Sequence, residues 1–133
     1  MYNKERALIT ADQLILHAIG DYILQSDWMA EWKTKRWHAA IIHAFMYSLP
    51  FILLQPSVAA WLCIFLTHAA IDRYRLARYV VWAKNWMGPN LPWSECCATG
   101  YPKERPAWMT VWLMIAADNI IHVCINGAAL KWL

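Results

Sequence analysis

The chain is poor in charge. Of its 133 residues only 16% are Asp, Glu, Lys or Arg, whereas ordinary soluble domains carry roughly 25%. The formal net charge of +3 is small, and the sequence has no aromatic-and-basic module typical of nucleic-acid binding. We therefore expect no nucleic acid among the partners of this protein.

Two further features are missing. The N-terminal region has no small-residue cleavage site after a clean apolar stretch, so we expect residues 7–24 to be retained and not removed as a signal peptide. A disulfide framework is not expected either. Cys63 and Cys124 lie in apolar segments, and bridging the adjacent Cys96 and Cys97 requires a strained geometry. We expect all four thiols to be reduced.

The chain is rich in apolar residues: 60% of its residues are hydrophobic, and ten are tryptophans. The length suits one domain, residues 1–133. Four stretches have a helical pattern, no alternating strand pattern competes with them, and each has about the length needed to cross a bilayer. The fold class predicted is all-α, a compact four-helix transmembrane bundle, with spans at residues about 7–25, 37–54, 57–72 and 107–128.

The tryptophans favour a membrane protein over a soluble bundle. Most of them lie between or at the ends of the predicted spans, and Trp61 alone lies well inside one. This distribution is typical of the aromatic belts at membrane–water interfaces. The alternative is a soluble helical bundle with a Trp-rich core, which the modest mean hydropathy of +0.27 favours.

Basic residues orient the predicted spans. Lys33, Lys35 and Arg36 lie between the first two spans, and several more lie in the connection of about 73–106. The positive-inside rule therefore places both connections in the cytoplasm and both termini outside. We expect a multi-pass membrane protein, in which residues 73–87 form an amphipathic interfacial helical extension after the third span.

Histidine and aspartate recur four residues apart within the apolar segments. The pairs are His17/Asp21, His68/Asp72 and, in reverse order, Asp118/His122. On a helix this spacing puts both side chains on one face. An ionised aspartate in the middle of a membrane helix costs roughly 2.5 to 3.5 kcal/mol, so something must compensate for these carboxylates.

A shared metal ion would supply that compensation. His43 is expected at a depth similar to that of the first two pairs, and imidazole with carboxylate suits one or two divalent ions such as zinc, manganese or iron. Gln25 and Asn126 extend the polar stripes and are expected to orient the ligands. The predicted metal ligands are His17, Asp21, His43, His68, Asp72, Asp118 and His122. Two alternatives stay open: internally hydrogen-bonded pairs, and a metal-free proton relay.

Four segments carry a resemblance to a known family. The segments are "HAIGDYILQSDWMAEWK" (17–33), "HAFMYSLPF" (43–51), "HAAIDRYRLAR" (68–78) and "DNIIHVCIN" (118–126). They resemble the small membrane proteins of bacteria and tailed phages grouped as DUF3307, a domain of unknown function. The shared motif H-x-x-G-D-[FY]-x-x-Q and its companions single out His17, Gly20, Asp21, Gln25, Lys33, His43, His68 and Asp72. The resemblance implies a membrane protein and supplies no reaction.

The leading functional hypothesis is a membrane-embedded, metal-dependent hydrolase. The metal would activate a water molecule, and Asp21 would serve as general base. Lys33, Arg73 and Arg75 would attract an anionic lipid-like or phosphoester substrate at the cytoplasmic face.

Two other functions are alternatives to the hydrolase. One is a non-enzymatic membrane protein, of phage or host origin, that binds partners in the host envelope and uses the polar cluster as a structural staple. The other is ion or proton transport, which the apolar outer ends of the second and third spans disfavour. Because four short spans bury little surface, a homodimer through the Trp-rich flanks is also expected.

Overall fold

The computed structural model describes residues 7–85, 88 and 91–133. Every regular element among them is helical, which confirms the all-α prediction. The chain divides into two compact units. The first comprises residues up to Tyr74 together with His122–Leu133, and the second comprises Arg75–Ile121.

The first unit holds the helices in which most of the predicted ligands lie. Helix α1 continues into a π-helical turn, and α3 continues into a 3-10 segment at Leu49, next to Pro50, which cannot donate a helical hydrogen bond. The bounds are α1 Ala11–Ala18 with the π turn Ile19–Ile23, α2 Asp27–Trp32, α3 Trp37–Ser48 with the 3-10 segment Leu49–Leu54, and α4 Val58–Tyr74. Helix α7 is Met114–Trp132, and its part from His122 onward belongs to this unit.

The second unit holds two short helices and the first part of α7. The sequence predicts that the third span continues into a basic helix, but α4 ends at Tyr74 and Arg75 has a positive φ of 52°. This left-handed residue separates α4 from the next helix. The remaining bounds are α5 Ala77–Lys84, α6 Trp93–Cys96, and the π-helical turn Met109–Leu113 that leads into α7.

The turn between α3 and α4 has the chemistry of a helix stop and a helix start. Gln55 ends the 3-10 segment in the left-handed conformation. The hydroxyl of Ser57 then accepts a hydrogen bond of 3.0 Å from the backbone N–H of Ala60. This bond satisfies one of the free donors at the start of α4, so Ser57 acts as the N-cap of that helix.

Helices α3 and α4 approach closely because their facing residues are small. Their fully buried residues include several alanines, and the indole N–H of Trp61 donates a 3.0 Å hydrogen bond to the carbonyl of Ser48 across the pair. Small residues at a helix interface let the backbones pack tightly. The alanines are Ala39, Ala40, Ala44, Ala60 and Ala69; next to them an apolar core is formed by Leu16, Tyr47, Phe51, Ile64, Ala129 and Leu130.

Gly20 allows the π turn to lie against α3. A Cβ atom at this position would lie 2.5 Å from the Tyr47 ring and 3.0 Å from its carbonyl oxygen. Since part of this obstacle is backbone, a larger residue would push the two helices apart. Gly20 thereby sets the depth at which the next residue, Asp21, enters the interior.

Two of the four predicted spans form helices long and apolar enough to cross a membrane. These are Trp37–Leu54 and Met109–Trp132. The first stretch begins as a helix only at Ala11 and changes to a π turn after Ala18, and α4 has 17 residues. The expectation of four full-length spans is therefore reduced to two by helix length.

Replacing Gly20 with alanine should destabilise the first unit. The added methyl group meets the Tyr47 ring and backbone, and such overpacking costs about 1 to 3 kcal/mol, which outweighs the better helix propensity of alanine. We expect a lower apparent Tm of the detergent-purified protein. Gly88→Ala is the control, because a Cβ there meets only the Asn85 carbonyl oxygen at 3.6 Å. An unchanged Tm for G20A would contradict the close approach.

Candidate metal centre

Two carboxylates and two imidazoles converge inside the first unit. Asp21 comes from the π turn after α1, His43 from α3, and His68 and Asp72 from successive turns of α4. All four residues are buried, and one ligand atom of each lies within 4.8 Å of the others. The i, i+4 spacing on α4 and the close packing of α3 and α4 create this convergence.

The ligand atoms lie at nearly equal separations. The His43 and His68 Nε2 atoms are 3.0 Å apart. The Asp72 Oδ2 atom lies 3.1 Å from the first of these nitrogens and 3.2 Å from the second. The Asp21 Oδ1 atom lies 3.2 Å and 3.4 Å from the same two nitrogens. The two rings therefore present their Nε2 atoms to both carboxylates.

These separations suit a metal ion. Ligand atoms bound tetrahedrally at about 2.0 to 2.1 Å lie about 3.3 Å from one another. The Asp21 Oδ1 and Asp72 Oδ2 atoms are buried and accept no hydrogen bond of good geometry, which is costly unless a cation is nearby. Two nitrogens with two oxygens form a donor set suited to zinc, iron or manganese.

Lys33 brings a positive charge to the same atoms. Its Nζ lies 2.8 Å from Asp72 Oδ2 and 3.4 Å from His43 Nε2. The sequence predicts Lys33 at the cytoplasmic surface as a contact for an anionic substrate. The structure instead places the ammonium group beside the carboxylate, with the side chain 18% exposed. Lys33 is thus part of the centre.

Further buried rings surround the four ligands. The Tyr47 ring stacks on His68 with a centroid distance of 3.6 Å. His122 lies on the other oxygen of Asp72, with Nε2 3.3 Å from Oδ1. The Tyr47 hydroxyl lies 2.8 Å from His17 Nδ1 and accepts a hydrogen bond from the side-chain amide of Asn126. These contacts fix the orientation of the rings that face the carboxylates.

His17 contacts Asp21 but is not one of the four residues that supply the converging ligand atoms. Its Nδ1 is 3.6 Å from Asp21 Oδ2, the oxygen that faces away from His43 and His68, and only 2.8 Å from Tyr47. The spacing of four residues thus brings this pair together as predicted. Part of the reason that Asp21 reaches inward is the π turn, a feature that often occurs at functional sites.

Four further residues were singled out by the sequence: Asp118, Arg73, Arg75 and Gln25. Asp118 precedes His122 by one helical turn, in the stretch of α7 that belongs to the second unit, and its role as a ligand stays a prediction. Arg73 donates a 2.9 Å hydrogen bond to the Thr34 carbonyl, and Arg75 is an exposed residue of the second unit. The side-chain oxygen of Gln25 is buried without a hydrogen-bond partner.

Sequence reasoning missed two buried polar residues of this region. Tyr47 is fully buried between the rings of His17 and His68, and it follows His43 by four residues, so the same spacing rule would have found it. Gln13 is 1% exposed and precedes His17 by four residues on α1.

The comparisons with known proteins give one match. The family model for DUF3307, described as a protein of unknown function, matches residues 9–91. No curated protein and no solved structure matches the chain. The matched range contains all four ligand residues and Lys33, whereas Asp118, His122 and Asn126 lie beyond it.

Removing one ligand should remove the metal. We expect the detergent-purified wild type to carry about one divalent ion per chain by elemental analysis, and His68→Ala and Asp21→Ala to carry almost none, because each loses one of four ligands. His38→Ala is the matched control, since this fifth histidine is exposed and packs on Trp28. A wild type without metal, or metal retained in both ligand variants, would overturn the assignment.

Proposed function

Since the chain belongs to the DUF3307 family, whose description names no activity, we propose its function from the geometry of the centre. It is a multi-pass protein of the bacterial inner membrane that binds a divalent metal through Asp21, His43, His68 and Asp72. It uses this metal to hydrolyse an anionic, lipid-like phosphoester at the cytoplasmic face.

One observation supports the proposed metal binding: four buried residues offer ligand atoms of suitable chemical types that lie within 4.8 Å of one another. The two carboxylates carry two negative charges when ionised, and the Lys33 ammonium balances one of them. A divalent ion balances both, and it can coordinate the Nε2 lone pairs of His43 and His68 at the same time.

The exposed faces of the helices support a membrane location. Large apolar side chains point outward along the first unit, whereas six of its histidine and aspartate side chains are buried: His17, Asp21, His43, His68, Asp72 and His122. Soluble proteins rarely expose contiguous apolar faces of this kind. The outward residues include Leu14, Ile15, Ile23, Ile41, Ile42, Phe45, Leu53, Val58, Leu62 and Leu66, each at least 42% exposed.

The shorter helix α4 is compatible with this location. A helix of 17 residues, the length of α4, spans about 26 Å, close to a hydrocarbon core of about 30 Å. The membrane bundle that we propose has α4 beside the two long helices, with the shorter α1 and its π turn packed against α3. The basic residues of the 33–36 and 73–106 connections orient it with both connections in the cytoplasm.

The residues around the ligands have separate roles in the proposed reaction. When bound, the ion would lower the pKa of a water molecule and polarise the bond under attack. Asp21 accepts the proton of the attacking water through Oδ2, and His17 beside it carries that proton onward. Lys33, the most accessible of the charged groups, contacts the anionic oxygen of the substrate. As predicted from the sequence, Arg73 and Arg75 are proposed to attract the anionic substrate.

A second function is favoured by the number of ligands. Four protein ligands saturate a tetrahedral ion, and closed sites of this kind are usually structural. In that case the ion joins the π turn, α3 and α4 as a staple, and the protein serves as a binding partner in the envelope. An ion with a higher coordination number keeps room for water, so the ion's identity separates the two functions.

Native cysteines test the proposed topology. Cys97 is exposed in the second unit and Cys124 is exposed on α7. In single-cysteine variants we expect a membrane-impermeant maleimide to label Cys97 in inverted vesicles and not in intact spheroplasts, and to label Cys124 in neither, because it faces lipid. Both should label after denaturation in SDS. Labelling of Cys124 in native membranes would contradict the proposal.

Lys33→Gln tests the proposed reaction. The substitution removes the ammonium group that contacts the anionic substrate and leaves the four metal ligands in place. We expect unchanged metal content and a fall of about tenfold or more in kcat/KM for a phosphodiester substrate. Lys35→Gln is the matched control, because Lys35 is solvent-exposed and 3.9 Å from Glu31.

The same preparation separates the two functions. A hydrolase loses turnover on chelation, and metal restores it. A metal-loaded wild type that turns over no phosphoester, but whose Tm falls on chelation, would contradict the hydrolase and support the structural staple.

A further inference from the structure

The second unit contains a cavity that the proposed reaction does not use. Its volume is 530 Å³ and it shares no residue with the metal centre. Helix α5 contributes Trp82 and Lys84 to its wall, and the segment before α7 contributes Tyr101, Arg105 and Met109. The wall of the cavity therefore contains two cationic side chains together with aromatic and apolar side chains.

The wall is held in place by backbone contacts. Gly100 has a φ of +81°, and a Cβ there would lie 2.3 Å from the Arg78 carbonyl oxygen, so only glycine lets this segment approach α5. Arg78 donates a 2.9 Å hydrogen bond to the Cys97 carbonyl. The indole N–H of Trp82 donates a 3.0 Å hydrogen bond to the Leu91 carbonyl. The cavity is thus a built feature of the unit.

A buried hydroxyl in the wall lacks a partner. Tyr101 is 5% exposed, and its hydroxyl oxygen is buried with no hydrogen bond. Leaving such a group unpaired is costly, so it is a natural contact for a ligand. The ammonium of Lys84 lies 5.3 Å from the centroid of the same ring. No acidic residue is among the described residues of the wall.

We propose that this cavity binds a phosphate-bearing anion through the Lys84 ammonium, the Arg105 guanidinium and the Tyr101 hydroxyl. Arginine and lysine are the usual partners of phosphate in proteins. The hydroxyl donates one further hydrogen bond. This site goes beyond the proposed hydrolysis and does not depend on it.

The size of the cavity favours a phospholipid headgroup over a free phosphate ion. Pockets of about 300 to 1,000 Å³ hold ligands of drug size, so an inorganic phosphate would leave most of the space unfilled. The surfaces of Trp82 and Met109 suit the glycerol and the first methylene groups of a lipid. An anionic phospholipid supplies both parts.

The test is equilibrium binding of short-chain phosphatidylglycerol to the full-length protein in a non-ionic detergent with EDTA present. The chelator keeps the result independent of the metal centre. We expect affinity to fall about tenfold or more in the double variant K84Q/R105Q and severalfold in Tyr101→Phe. Lys103→Gln removes one charge from the same segment but not from the cavity wall, and it should bind like the wild type.

The arms of the experiment distinguish the sources of the phosphate. Tighter binding of phosphatidylglycerol than of inorganic phosphate or short-chain phosphatidylcholine supports the lipid headgroup. If inorganic phosphate binds equally well and this binding is lost in the same variants, the anion site is supported and the assignment of a lipid headgroup as its ligand is overturned. An unchanged affinity in K84Q/R105Q and Tyr101→Phe, with unchanged helix content by circular dichroism, overturns the site. An equal loss in Lys103→Gln does so as well, because it indicates general charge attraction.

Discussion

Two carboxylates that face two imidazoles in a buried interior are the constraint on which the first unit depends. Asp21 and Asp72 come from different helices, and their ligand oxygens accept no hydrogen bond of good geometry. Repulsion between the two charges would separate the π turn from α4 unless a cation lay between them. The close packing of α3 on α4 and the contact of Gly20 with Tyr47 hold these groups together, so the packing and the charge compensation support each other.

The distribution of polar and apolar side chains follows from the same constraint. Water would solvate these carboxylates well, so a soluble bundle gains little by burying them. When the surroundings of a bundle are lipid, its interior is the natural place for charged groups. The outward-facing isoleucine and leucine side chains of the first unit and its four buried histidines, His17, His43, His68 and His122, fit that situation. The alanine-lined contact of α3 with α4 is also typical of helices that associate in lipid.

The sequence was sufficient to predict a helical chain and to single out the four residues that converge in the centre. Periodicity indicated the helices because the apolar segments are long, and the spacing of four residues predicted the neighbourhood of His68 and Asp72 because both belong to one regular helix. It could not predict the π turn at Ile19–Ile23 or the left-handed Arg75, since both depend on local backbone geometry. The position of Lys33 could not be predicted for a related reason. Lys33 directly follows the short helix α2, which begins at Asp27, and this helix directs the chain back towards the centre.

The position of Lys33 bears on whether the centre is catalytic. A structural site has no need of a second cation, because a divalent ion already neutralises both aspartates, and a lysine next to that ion would be repelled. A hydrolytic site uses such a lysine, since the anionic substrate that approaches the ion brings negative charge of its own. In the absence of substrate the ammonium of Lys33 can rest on Asp72 Oδ2, at 2.8 Å. When an anion binds, that anion becomes its partner. A lysine that exchanges partners in this way has a role in the proposed hydrolase that the structural staple does not give it.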